Sequence, residues 1–169
     1  RLTNEKTFQP LGNKAFYESH GFTIDDTSLI FSASKTVPLD LDIYTYNMAT
    51  GQLKNLTNSS GEWDEHSILS PSGKKLVWIS SKDYNFTPDA NWSKTLKTDY
   101  WLMNTDGSDK VKLTHFNGSG FPEYVAGERI IAADIAWNPA GDQLVAVRAV
   151  VGVQGSSTKI VLIRLNSSQ

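Results

Sequence analysis

The sequence predicts an all-β fold built from repeats, and three observations support this prediction. A hairpin pattern occurs three times along the 169 residues, a second strand pair occurs twice, and no segment has the period of a long amphipathic helix. The composition agrees, because 39% hydrophobic and 20% charged residues are typical of a globular domain with its own core.

The repeated hairpin covers residues 21–34, 67–80 and 135–148. Each copy has a short apolar stretch, a polar turn, and a second stretch rich in β-branched and aromatic residues. The turns Ser70-Pro-Ser-Gly73 and Asn138-Pro-Ala-Gly141 contain the proline and glycine that tight turns favour. The first copy has Ile24-Asp-Asp-Thr27 at this place, so its turn is expected to be weaker.

The second repeated element covers residues 42–57 and 99–114. In both copies a strand beginning with Asp runs into a glycine-containing turn and returns as a strand that ends in Leu-Thr. Leu56 and Leu113 lie 57 residues apart, close to the period of a propeller blade with loop insertions. Two hairpins in each repeat make one four-stranded antiparallel blade.

Such a blade cannot bury both of its faces alone, so the blades must stack around a common axis. We therefore predict a β-propeller with about three blades, half of a six-bladed ring. The predicted parts are a terminal strand of a preceding or closing blade, a first blade, a second blade with an insertion, and a third blade lacking its outer strand. They cover residues 1–14, 15–57, 58–115 (insertion 83–97) and 116–169.

The two proline turns resemble the Ser-Pro-Asp-Gly turn of TolB-like, WD-type propeller repeats, although Ser72 and Ala140 replace the Asp. The Asp-Ile-Tyr…Gly…Leu-Thr element is similar to the second half of the same repeat. Residues 63–66 and 98–104 resemble an uncharacterised, exported bacterial branch of this family. The resemblance implies a periplasmic or extracellular protein that binds proteins or components of the cell envelope.

The two ends of the chain predict an incomplete ring. Arg1-Leu-Thr3 looks like the end of a fourth strand, and residues 159–164 read as a third strand with no fourth strand behind it. The chain begins with Arg1 and shows no signal peptide, which fits a removed leader or a piece of a longer protein. Either the rest of the ring lies in missing sequence, or two copies associate as a homodimer that completes six blades.

The composition argues against several classes of function. A net charge of -2 gives no basic footprint for nucleic acid, and no apolar run is long enough to span a membrane. The chain has no cysteine, so it contains neither disulfides nor thiolate metal sites. It also has no Gly-x-Ser-x-Gly nucleophile motif and no phosphate-binding loop.

Carboxylate and histidine side chains cluster at or before the innermost strand of each predicted blade. Because these strands line the central channel, we expect the side chains to converge near its mouth as a ligand site. The candidates are Glu18, His20, Asp64, Glu65, His66 and Glu123. Among them His20, Glu65 and His66 could hold Ca²⁺, Mn²⁺ or Zn²⁺. The alternative is a polar network that serves structure alone.

The insertion in the middle blade offers a second candidate surface. Tyr84, Phe86 and Trp92 are of the aromatic types that anchor protein interfaces or stack on sugars. The alternative is that these rings pack back onto the blade. The leading functional hypothesis is a non-enzymatic binding scaffold. The other two are a metal-dependent polysaccharide lyase or hydrolase with its site in the channel, and a structural domain of a larger enzyme.

Overall fold

The computed structural model describes residues 4–35, 39–152 and 155–165. These residues form three antiparallel sheets and one short helix, so the predicted all-β class is confirmed. Within these ranges, no helix has the length and apolar character needed to cross a membrane.

Each sheet is a meander in which consecutive strands pair with one another. The strands of the first sheet are β1 (Phe16–Phe22), β2 (Ser28–Ser34), β3 (Asp42–Asn47) and β4 (Leu53–Asn55). Those of the second are β5 (Asp64–Leu69), β6 (Lys75–Ser80), β7 (Asp99–Asn104) and β8 (Val111–Lys112). Those of the third are β9 (Arg129–Trp137), β10 (Gln143–Gly152) and β11 (Gly155–Arg164). The helix α1 (Trp92–Thr95) lies between β6 and β7.

The three predicted hairpins are β1–β2, β5–β6 and β9–β10. Gly73 and Gly141 adopt φ values of 70° and 76° in the turns, as expected for glycine. In the first hairpin Asp26 occupies the equivalent turn position with a φ of 56°. The Asp25 carboxylate compensates for the missing glycine by accepting hydrogen bonds from the Thr23 hydroxyl and the Thr27 backbone N–H.

The repeated Asp and Leu-Thr residues form one structural unit, which we call the Asp–Thr clamp. In the second sheet the Thr114 hydroxyl donates to Asp99 over 2.9 Å and accepts from the Tyr100 N–H over 3.0 Å. The Phe116 N–H also donates to Asp99 over 2.8 Å. The clamp therefore ties the end of the fourth strand, and the chain that leaves it, to the start of the third strand.

The first sheet contains the same clamp. The Thr57 hydroxyl donates to Asp42 over 2.8 Å and accepts from the Ile43 N–H over 3.0 Å, and the Ser59 N–H donates to Asp42 over 2.8 Å. The third sheet has no such clamp among its described residues. The repeat and the strand pairing place Lys159 there, at the position of Asp42 and Asp99.

The core lies between the sheets, because the central strands β2, β6 and β7 bury consecutive residues and therefore bury both faces. Between the first and second sheets Ile30, Ile43 and Leu56 pack against Leu76, Trp78, Trp101 and Met103. Between the second and third sheets Val77, Ile79, Tyr100 and Leu102 pack against Ile130, Ala132, Leu144 and Ala146. The order of the three sheets in space therefore follows their order along the chain.

The two outer faces are covered to different extents. On the first sheet, residues 4–15 contain no strand and lie partly across the face, with the Phe8 ring edge-on to Tyr46 at 5.7 Å. The predicted strand at Arg1–Thr3 lies outside the described residues. On the third sheet, Val145, Ile160 and Leu162 are 47%, 79% and 56% exposed.

Candidate functional site

The first strand of each sheet contains a β-bulge, and the three bulges lie within one residue of the same level. In β1 the register shifts between Ser19 and Gly21, which leaves His20 as the extra residue. In β5 the residues 66–67 oppose Trp78 alone, and in β9 the residues 133–134 oppose Val147 alone. Because a bulge frees one residue from the ladder and turns its side chain, it can aim that side chain at a site.

The three bulges bring side chains of different sheets together, since β5 contacts both β1 and β9. The His20 and His66 rings lie 6.3 Å apart. His66 Nδ1 lies 3.6 Å from the Asp134 carboxylate, and His66 Nε2 lies 3.4 Å from Glu65. Donor atoms of Glu18, Glu65 and His66 lie within 4.8 Å of one another. We call Glu18, His20, Glu65, His66 and Asp134 the junction cluster.

Neighbouring side chains fix the orientation of two members of the junction cluster. The Trp63 indole N–H donates to Glu65 Oε2 over 2.8 Å, and the Ser32 hydroxyl is hydrogen-bonded to His20 Nε2 at 2.7 Å. His66 has a φ of 51°, the left-handed conformation that residues with a side chain adopt at a cost of about 1–2 kcal/mol. The fold therefore positions these groups against a local preference of the backbone.

Burial and like charge change how the cluster ionises. Burial raises the pKa of Glu65 to about 8, and the neighbouring Glu18 carboxyl adds to this increase. Burial also lowers the pKa of His20 to about 4, so His20 is neutral at pH 7. The cluster thus combines a neutral imidazole with two facing carboxyl groups, one of which binds a proton more readily than usual.

The structure places four of the six residues of the predicted channel site in the junction cluster, namely Glu18, His20, Glu65 and His66. Asp64 points to the opposite face of β5, as alternation along a strand requires. Its buried carboxylate accepts hydrogen bonds from the Trp78 indole and the Ser59 hydroxyl, at 2.9 and 2.8 Å. Glu123 lies in a loop, where it accepts from the His115 N–H over 2.8 Å.

Asp134 is the member of the cluster that sequence reasoning missed. His66 and Asp134 directly precede the second and third hairpin copies, which begin at Ser67 and Ile135. In the first hairpin Asp26 takes the place of Gly73, so Ser19 is the equivalent of His66 and His20 lies one residue further along. The equivalence of His66 and Asp134 was therefore present in the repeat. Asp134 does not stand out in the sequence, because it is a single acidic residue inside an apolar stretch with no histidine beside it.

The three aromatic side chains of the insertion pack against the second sheet. The Trp92 ring stacks on Trp63 at 4.8 Å, and the buried Phe86 ring lies edge-on to Trp63 at 6.0 Å. The Tyr84 hydroxyl donates to Asp99, and Lys112 lies over the Tyr84 ring. The rings thus hold the insertion in place, and a role for this segment in partner binding stays a prediction.

Comparisons with known proteins identify the fold. No protein-family model matches the chain, and no curated protein matches its sequence. TolB from Acinetobacter baumannii superimposes with a TM-score of 0.55 at 19% identity, over 87% of this chain and 33% of that one. A TolB protein from Agrobacterium tumefaciens superimposes with a TM-score of 0.53 at 16% identity, over 89% of this chain and 50% of that one.

An oligogalacturonate lyase in complex with manganese gives a TM-score of only 0.29 at 14% identity, over 85% of this chain and 65% of that one. This similarity is too low to support an argument. The chain spans one third to one half of the length of the two TolB structures. The three stacked sheets, together with these two superpositions, show that the chain has a TolB-like β-propeller fold.

Proposed function

We propose that this chain is a non-enzymatic binding scaffold of the cell envelope or the cell exterior, built from WD-type repeats. Its ligand binds at the junction cluster through a cationic or hydrogen-bond-donating group. The observation that carries the proposal is the convergence of five polar side chains from three sheets at or beside three neighbouring bulges. Bulges next to a site commonly aim side chains at a ligand, and a purely structural hydrogen bond needs no such repetition.

The chemistry of the cluster favours binding over hydrolysis. The His20–Ser32 pair has the spacing of a base and a nucleophile, but Ser32 is fully buried, so a substrate cannot reach its hydroxyl. Glu18, Glu65 and Asp134 supply hydrogen-bond acceptors, and neutral His20 adds no positive charge. The ligand should therefore present positive charge or several N–H or O–H donors.

A charge-reversal experiment tests this proposal. The immobilised chain is exposed to a cell-envelope extract beside two variants, Glu18→Lys/Asp134→Lys and the control Glu5→Lys/Asp142→Lys. The control reverses two exposed carboxylates outside the cluster. We expect a protein that is retained by the wild type and by the control and lost from the cluster variant. Equal retention by all three would place binding elsewhere and contradict the proposal.

The alternative of a metal-dependent lyase or hydrolase is tested with the same preparations. Incubation with polygalacturonate and Mn²⁺ would release unsaturated or reducing ends if the cluster were catalytic. We expect no release above that of the Glu18→Lys/Asp134→Lys variant. Release by the wild type alone would replace the scaffold proposal with an enzymatic one.

A further inference from the structure

The facing carboxyl groups of Glu18 and Glu65 need a positive partner when both are ionised. Both side chains are partly buried, and no Lys or Arg is among the salt-bridge partners of either one in the described part of the chain. Two partly buried carboxylates that face each other repel, and a cation bound between them would turn this unfavourable contact into a favourable one.

We propose that Glu18, Glu65 and His66 bind a divalent first-row transition ion, with Asp134 as the residue that orients His66. This inference rests on the proposed function, since it names the cationic group that the junction cluster takes. It goes further in assigning ligands from two different sheets, with the orienting carboxylate from the third.

The geometry fits such an ion. The three donor atoms lie within 4.8 Å of one another, and ligands about 2.0–2.2 Å from a metal are themselves roughly 3.3–4.3 Å apart. Side-chain movements of about 1 Å would bring the three donor atoms to these separations. One oxygen of Glu65 is already held by the Trp63 indole, which limits the reorganisation that the carboxylate would undergo.

Asp134 prepares His66 for coordination. Its carboxylate lies 3.6 Å from His66 Nδ1, so it favours the tautomer with the proton on Nδ1. Nε2, which lies 3.4 Å from Glu65, is then the unprotonated nitrogen and is free to bind a metal. Metal-binding histidines usually donate their second ring N–H to a carboxylate or carbonyl group, and Asp134 is the carboxylate placed to accept it.

The donor set selects the ion. Two carboxylates and one imidazole suit Zn²⁺ or Mn²⁺, whereas Ca²⁺ requires six to eight oxygen ligands. Three protein ligands leave at least one coordination position open.

Isothermal titration with Zn²⁺, after the chain has been treated with a chelator and exchanged into buffer, tests the inference. We expect one ion per chain, with Ca²⁺ giving no saturable signal. His66→Ala and Glu18→Gln should weaken Zn²⁺ binding at least tenfold, and Asp134→Asn should weaken it about tenfold. His115→Ala is the matched control, because His115 also lies beside a glutamate, 3.8 Å from Glu123, but outside the cluster.

Equal affinities for the His66→Ala and His115→Ala variants, or no saturable binding by the wild type, would overturn the inference. Near-UV circular dichroism in chelator establishes that each variant is folded. If His66→Ala fails to fold, Glu18→Gln and Asp134→Asn decide the question. Absence of Zn²⁺ binding by the wild type, alongside intact retention of the envelope partner, would reject the metal and leave the binding scaffold standing.

Discussion

Glu65 lies where burial and a second carboxyl group both oppose its ionisation, and its pKa rises to about 8. Between its ordinary value of 4.5 and about 8, the folded chain therefore holds a proton that the unfolded chain has lost. Rising pH across this window lowers the free energy of unfolding. Below the window and above it, the contribution of Glu65 no longer changes with pH.

A Glu65→Gln variant should reveal this dependence, because glutamine keeps the acceptor for the Trp63 indole and does not titrate. In chelator, we expect the melting temperature of the variant to rise relative to that of the wild type as the pH increases from 5 to 8. A gain of about 2–4 °C corresponds to roughly 1 kcal/mol in a chain of this size. A difference that stays constant across this range would show that Glu65 ionises normally.

At this scale the sequence identified the residue types and their neighbourhood, but not which way each side chain points. Asp64 and Glu65 are adjacent, so one must face away from the other along a regular strand. Which of them reaches the cluster depends on the bulge at His66, and nothing in the local sequence marks that bulge. Trp63 and Ser32, which orient the cluster, are ordinary core residues in the sequence and gain their role only from contacts in space.

The Asp–Thr clamp holds the end of the fourth strand of a sheet against the start of its third strand. Thr114 is 5% exposed, so water cannot replace the hydrogen bonds of its hydroxyl. Thr114→Val would leave the Tyr100 N–H and one Asp99 oxygen without this partner, at a cost of about 1–3 kcal/mol. The equivalent Thr57 is only half-buried, so Thr57→Val should cost about 0.5–1.5 kcal/mol.

Urea denaturation of both variants measures these costs. We expect Thr114→Val, in the buried clamp, to lower the free energy of unfolding more than Thr57→Val, in the half-buried one. Equal losses would mean that exposure does not control the strength of the clamp.

The turn between β7 and β8 of the second sheet packs against the end of the first sheet. A Cβ atom at Gly107 would lie 2.9 Å from the Leu56 carbonyl oxygen, and the residue has a φ of 84°. The matching turn between β3 and β4 contains Gly51, with a φ of 74°, where a Cβ would meet only the Tyr46 hydroxyl at 3.8 Å. The two glycines share their backbone conformation but differ in the space around them.

Gly51→Ala should therefore cost about 1 kcal/mol, from the left-handed conformation alone. Gly107→Ala should cost at least about 1 kcal/mol more, because the methyl group forces the two sheets apart. Chemical denaturation of the two variants gives the comparison. If Gly107→Ala lowered the free energy of unfolding less than Gly51→Ala, the Leu56 segment would have to move aside without destabilising the fold.

The positions of most strands and turns could be predicted from the sequence. The three hairpins and the two Asp…Leu-Thr elements lie where the repeats predict them, because turn chemistry and strand alternation are local properties. The length of β11 could not be predicted, since it begins at Gly155 in a stretch of small polar residues with no strand signal. It is a strand because it pairs with β10 along its whole length.

The whole molecule has apolar surface on both of its outer sheets. A cavity of about 330 Å³ on the first sheet is lined by Phe8, Tyr17, Phe22 and Phe31, among others. The third sheet exposes Ile160 and Leu162. These are the faces that would contact further blades in a closed ring, and they favour association of the isolated chain.

Light scattering after size exclusion tests this at several concentrations. We expect the mass to exceed 18.7 kDa as the concentration rises, and to approach twice that value if two copies complete a ring. The Ile160→Lys/Leu162→Lys variant should stay at the mass of one chain. A wild type that remains monomeric at all concentrations would contradict the expectation.

The three bulges have a consequence for how such a protein can diversify. His20, His66 and Asp134 lie where the ladder is locally interrupted, so their side chains can be exchanged without altering the pairing on either side. These three residues therefore lie apart from the paired positions that hold each sheet together. If the junction cluster binds a ligand as proposed, substitutions at the bulges would change its specificity one sheet at a time and leave the strand pairing intact.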